Sequence, residues 1–130
     1  MNERVDHYWN VIEFRETFGL PVSATPRLPD NDALALHHKL ICEEVGELYD
    51  AIKARDAVEV LDALADIAYL VYGCAVDAGY DLDEALRIVH ESNMSKLEDG
   101  QVLRRPDGKV LKGRDFMPPA LTHLVETQPR

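Results

Sequence analysis

Apolar positions recur with helical spacing in four stretches of the chain. From about Arg4 to Phe18, the residues Val5, Trp9, Ile12 (or Val11) and Phe18 share a face, and Gly19 is a natural stop. Pro21, Pro26 and Pro29 then predict a loop, because proline suits neither a helix interior nor a central strand. Asp30 and Asn31 are capping residues for a second helix, which carries Leu34, Ile41, Val45 (or Leu48) and Ile52 on one side and runs to about Lys53. Asp56 with Glu59 has the spacing of a capping box and opens a third helix, about Ala57 to Ala78. That helix is apolar almost all round, through Val58, Val60, Leu61, Leu64, Ile67, Leu70, Val71 and Val76, as expected of a helix buried centrally. Gly79 ends it. Asp81 and Glu84 repeat the capping spacing, and a fourth helix runs to about Leu97, with Gly100 beyond. In the tail, apolar pairs flank Pro106-Asp107-Gly108 between Val102 and Leu111, which predicts a short hairpin. Pro118-Pro119 breaks the chain before a short amphipathic end.

Short connections between four helices predict an all-α fold, an antiparallel four-helix bundle-like domain with a short C-terminal hairpin or tail. With 130 residues, one domain over 1–130 is expected. Four helices are too few to cover so apolar a third helix, so an intertwined homodimer is expected, with a tetramer as the larger option. Acidic residues outnumber basic ones 24 to 14, for a net charge of −10, which argues against nucleic-acid polymers and anionic membranes as partners. The longest apolar run, Ile67 to Val76, is too short to span a bilayer, which takes roughly 20 residues. No apolar stretch follows the start, so it does not read as a signal peptide. Cys42 and Cys74 lack CxxC spacing and read as reduced, buried thiols of a cytoplasmic protein.

The acids are patterned. Glu43, Glu44 and Glu47 share a patch on the second helix, and Glu59, Asp62 and Asp66 share a face of the third. Such clusters are often plain solvated faces. Asp62 and Asp66 fit that description less well, since they interrupt Leu61-Asp62-Ala63-Leu64-Ala65-Asp66-Ile67-Ala68, where the neighbours favour burial. A cation bridging the two helices would relieve all these acids together. Hard oxygen ligands without His or Cys point to Mg2+, with Mn2+ as the alternative.

Glu43-Glu44-x-x-Glu47 followed by Glu59-x-x-Asp62 resembles the EExxE…ExxD signature of the MazG-like all-α nucleoside triphosphate pyrophosphohydrolases. The segments 40–48, 62–73, Ser92-Asn93-Met94-Ser95-Lys96-Leu97 and 107–113 resemble the branch related to phosphoribosyl-ATP pyrophosphohydrolase, found in phages and bacteria. One departure matters. In much of that superfamily the last Asp directly precedes an apolar run containing Tyr or Phe and follows a Glu by three residues. In that register the Asp is Asp66 and the Glu position holds Ala63, with Asp62 one turn earlier on the same face. The other register uses Glu59 and Asp62, so all three stay candidates.

The resemblance implies a Mg-dependent pyrophosphohydrolase that cleaves an NTP or dNTP to the monophosphate and pyrophosphate. Glu44, Glu47, Glu59, Asp62 and Asp66 are the implied metal ligands, and Glu43 or Glu44 would orient or deprotonate the attacking water. Asn93, Lys96, Lys109 and Lys112 are the implied phosphate contacts, with Arg104, Arg105 and Arg114 nearby in sequence. Otherwise Lys96 is a favourable charge at a helix C-terminus and Lys109 a turn residue. Trp9, Phe14, Tyr69 and Tyr72 could stack on a base, although core or dimer packing is the favoured reading for any one of them. His37, His38 and His90 lack metal-ligand spacing and read as structural. Phosphoribosyl-ATP is the alternative substrate. A non-catalytic metal-binding helical dimer, acting as an interaction module, is the alternative of another class.

Overall fold

The computed structural model describes residues 5–126, so the predicted helix start at Arg4 lies outside the described residues. These residues form an all-helical chain of α1 (His7–Thr17), α2 (Asn31–Ala54), α3 (Ala57–Ala78), α4 (Leu82–Met94) and α5 (Thr122–Val125). None of the helices is long and apolar enough to cross a membrane. The chain divides into two compact units, residues 5–80 and 81–126 of the described stretch.

In the first unit an Asp caps each of the three helices. Asp6 accepts from the Trp9 N–H at 2.9 Å, Asp30 from Ala33 at 2.9 Å and Asp56 from Glu59 at 3.2 Å. Each satisfies an amide that a helix start leaves without a partner. Only Arg55 and Asp56 separate α2 from α3, and Arg55 adopts a left-handed φ of 54°. The two long helices therefore return on each other antiparallel. α1 packs against α3 through Val11, which is fully buried, and α1 ends at Thr17, a residue short of expectation.

The segment between α1 and α2 crosses the C-terminal end of α3, where Ser23 N–H donates to Val76 O at 3.1 Å and Arg27 N–H to Ala78 O at 2.8 Å. That closeness explains Gly79. It has φ +70°, and a Cβ there would lie 2.4 Å from the Thr25 carbonyl oxygen. Core residues concentrate at this end of α3, with Ala75, Val76, Asp77 and Ala78 all buried. The N-terminal half differs from the expectation of central burial. Ala63 is covered, but Val58 is 75% and Leu61 68% exposed.

In the second unit Asp81 caps α4 by accepting from Glu84 N–H at 3.1 Å. α4 stops at Met94, short of the expected Leu97, where Ser92 in its last turn and Ser95 at its C-cap bond to the tail. The Ser92 hydroxyl donates to Met117 O at 2.7 Å, the Ser95 hydroxyl to Ser92 O at 2.6 Å, and Met117 N–H to Ser95 Oγ at 2.9 Å. The predicted hairpin exists only as an isolated bridge between Arg104 and Val110, closed by Gly108 N–H to Arg105 O at 2.8 Å, and no strand forms among the described residues. After Pro118-Pro119 comes the single-turn α5.

Candidate functional site

The antiparallel return of α2 on α3 brings carboxylates from both helices together. Glu44 and Glu47 lie one turn apart on α2, and Asp66 faces them from α3. One oxygen from each falls within 4.8 Å of the others. Glu44 and Asp66 are half-buried and Glu47 is exposed. Asp62, one turn before Asp66, is close enough for its charge to act on Glu44, although it is itself exposed, as are its neighbours Leu61 and Leu64. Glu43 and Glu59 are exposed and stand outside the three-carboxylate group.

Glu44 bears the consequence. Its pKa is pushed up from 4.5 to about 7, first by hydrogen bonding with Glu47, then by burial, then by the charges of Glu47, Asp66 and Asp62. Its Oε2 is buried without a hydrogen-bond partner. A buried acceptor without a donor, set among like charges, fits a divalent cation. The donor set is oxygen alone, which suits hard cations.

The implied phosphate contacts lie in the second unit. Asn93 is in the last turn of α4 and Lys96 follows that helix, where its carbonyl accepts from Gly113 N–H at 3.1 Å. A Cβ on Gly113 would lie 2.9 Å from that carbonyl oxygen and 2.8 Å from Glu98 Cβ, so the tail approaches closely here. Lys109 is exposed beside the turn, its N–H donating to Asp107 Oδ1 at 3.1 Å. The Lys112 ammonium sits 4.8 Å from the centre of the Phe116 ring. Among the described residues Lys96, Lys109 and Lys112 make no ion pair, whereas Arg105 pairs with Asp107, and Arg114 with Glu98 and Asp99.

With this geometry in place, comparison with known proteins is decisive. The family model described as phosphoribosyl-ATP pyrophosphohydrolase matches residues 11–93. The chain belongs to that family. The matched residues of this phosphoribosyl-ATP pyrophosphohydrolase family member include the acid cluster and end at Asn93, so Lys96, Lys109 and Lys112 lie beyond them. A relative, "Uncharacterized protein L479" of Acanthamoeba polyphaga mimivirus, is 40% identical over 86 residues, 63% of this chain and 34% of that protein. The chain thus matches about a third of that relative's length.

A second cluster in this family member gathers side chains that no sequence spacing connects. Asp77, 2% exposed near the end of α3, receives three basic side chains. His37 Nε2 bonds to its Oδ2 at 2.7 Å, Arg27 Nη2 donates to Oδ1 at 3.0 Å, and Arg15 Nη2 lies 3.8 Å from Oδ2. Arg15 also donates through Nε to Pro21 O at 2.8 Å. The available signals were an Asp placed directly after Ala75-Val76, and Arg15 one turn beyond Val11. The cysteines also differ from expectation. Cys42 is exposed on α2 with Sγ 3.4 Å from His38 Nε2, and Cys74 is half-buried, where burial raises its thiol pKa. Of the four aromatic candidates, Trp9 is 64% exposed and Tyr72 contacts the rings of His7 and Tyr8. Phe14 and Tyr69 meet edge to face at 5.6 Å.

Proposed function

We propose that the protein is a divalent-metal-dependent nucleotide pyrophosphohydrolase that converts an NTP or dNTP to the monophosphate and pyrophosphate. The carrying observation is the convergence of Glu44, Glu47 and Asp66 around a buried, unpartnered Glu44 oxygen, within the residues matched to the family. In this reading Glu44, Glu47 and Asp66 hold Mg2+ or, less favourably, Mn2+, with Asp62 adding charge from beside them. When bound, the cation neutralises phosphate oxygens and lowers the pKa of a coordinated water.

Glu44, beside the other carboxylates of the cluster, is one candidate to orient the attacking water or accept its proton. Glu43, one residue earlier and exposed, is the other candidate for orienting that water. Water oxygen bonds to the α-phosphorus, the bond from that phosphorus to the bridging oxygen breaks, and pyrophosphate leaves with the electron pair. Asn93, Lys96, Lys109 and Lys112 are assigned to phosphate oxygens on side-chain chemistry. Phosphoribosyl-ATP, which the family description names, is the second substrate reading. The exposed Val58, Leu61 and Leu64 of α3 support a homodimer in which a second copy covers them. The free thiols fit a cytoplasmic setting.

The test is pyrophosphate release from a panel of NTPs, dNTPs and phosphoribosyl-ATP, with Mg2+ and with chelator. Stoichiometric pyrophosphate and monophosphate with Mg2+ alone is expected. No release from any member of the panel would reject the enzyme and favour a helical interaction module.

A further inference from the structure

α2 carries a second set of metal-binding side chains that the acid cluster does not use. His38 and Cys42 are one helical turn apart, and both are exposed. Cys42 Sγ lies 3.4 Å from His38 Nε2 and 4.0 Å from Nδ1. Among the described residues each side chain hydrogen-bonds only with the other. No second histidine stands at ligand spacing from His38, but Cys42 does, because side chains four apart are neighbours on a helix surface.

The separation of the two ligand atoms is informative. Zinc binds thiolate at about 2.3 Å and imidazole nitrogen at about 2.0 Å, in tetrahedral geometry. Two such bonds at the tetrahedral angle place sulfur and nitrogen about 3.5 Å apart. The observed 3.4 Å therefore lets one ion bridge the pair with little change in their spacing. A thiol–imidazole hydrogen bond has the same spacing but holds no metal, which is how the two differ experimentally.

Position and chemistry both separate this pair from the acids. By helical rotation the face of His38 and Cys42 lies roughly 140–160° around α2 from Glu44 and Glu47. The carboxylates converge with Asp66 of α3, whereas the pair is open to solvent. Oxygen donors select hard cations, and sulfur with imidazole selects borderline and soft ones. No ligand is shared, so both positions can be filled at once.

We propose that His38 and Cys42 form a two-ligand site for a thiophilic divalent cation such as Zn2+, on the outer face of α2 and independent of the acid cluster. Water completes the tetrahedron, since both side chains are exposed. Coordination releases the thiol proton to solvent and ties residue 38 to residue 42 across one turn of the helix. The site does not rest on the nucleotide reading, because it uses none of the residues assigned to hydrolysis.

The test uses the full, reduced chain with saturating Mg2+ present. Calorimetry with Zn2+ is expected to show a saturable site that is weakened at least tenfold in Cys42→Ser and in His38→Ala and retained in Glu44→Gln. Both substituted positions are exposed, so the metal-free melting temperature should stay at the wild-type value. Co2+ in place of Zn2+ is expected to give a thiolate-to-cobalt charge-transfer absorption, absent from Cys42→Ser, which carboxylate ligands do not produce. No such absorption in the wild type, or Zn2+ binding unchanged in both variants, would overturn the site and leave a thiol–imidazole hydrogen bond. Zn2+ binding lost in Glu44→Gln but kept in Cys42→Ser would assign the ion to the acid cluster and overturn the site as well. None of these outcomes bears on the hydrolase, which stands or falls on pyrophosphate release.

Discussion

Asp66 and Asp77 sit about three turns apart on one helix and meet opposite surroundings. Asp77 is buried and receives His37, Arg27 and Arg15. Asp66 is half-buried and meets Glu44 and Glu47, with no cation among the described residues bonded to any of the three. The first arrangement is electrostatically complete within the chain and ties α1, the following segment and α2 to α3. The second is incomplete, and its repulsion is registered in the raised pKa of Glu44. Completeness marks a fixed joint. In the second arrangement, no cation of the described residues relieves the repulsion.

The largest expected effect is on the incomplete site. Glu47→Gln or Asp66→Asn should reduce pyrophosphate release by several orders of magnitude while leaving the metal-free melting temperature equal or higher, since either change relieves like-charge repulsion. Asp50→Asn, three residues beyond Glu47, is the control and should shift stability by less than about 0.5 kcal/mol with unchanged turnover.

At the complete site the expected loss is in stability. Asp77→Ala leaves the buried Arg15 without its counter-charge and should cost about 3–5 kcal/mol in denaturant unfolding. A change under about 1 kcal/mol would mean that the cluster is not the joint described.

A pH effect follows next in size. The folded-state pKa of Glu44, about 7, exceeds its ordinary 4.5, so the folded chain binds this proton more tightly than the unfolded chain. Without metal, the contribution is fully present below about pH 4.5 and is lost as pH rises through 7. A cation competes with the same proton, so the Mg2+-induced gain in melting temperature should be larger at pH 8 than at pH 6. Glu44→Gln should remove that difference. A gain equal at both pH values would contradict the site. The smallest effect is expected from Glu59→Gln, because Glu59 is exposed and outside the cluster. Turnover within about twofold of wild type is predicted, and severe loss would return the third-helix ligands to the Glu59–Asp62 register.

The acid side of this contrast is legible in the sequence for definite reasons, and the Asp77 side is not. Helix starts were readable because Asp30, Asp56 and Asp81 act through bonds to amides three residues on, a purely local geometry. Convergence within α2 followed from helical spacing, and a short link predicted the antiparallel return that brings in Asp66. The end of α4 differs from the local pattern because Ser92 and Ser95 bond to Met117, more than twenty residues away. The Asp77 cluster draws from α1, the segment after it, α2 and α3, and no spacing rule joins Arg15, Arg27, His37 and Asp77. Residue type alone predicts a buried Cys42, because thiols are usually buried, whereas its position on α2 is exposed.

The central claim is that the incomplete site is completed by a divalent cation, and titration calorimetry with Mg2+ and Mn2+ at pH 8 tests it most directly. Saturable binding to the wild-type chain is predicted, lost in Glu44→Gln and in Asp66→Asn and retained in Asp50→Asn. Absence of binding to the wild type, or binding unchanged by Glu44→Gln and Asp66→Asn, would contradict the claim.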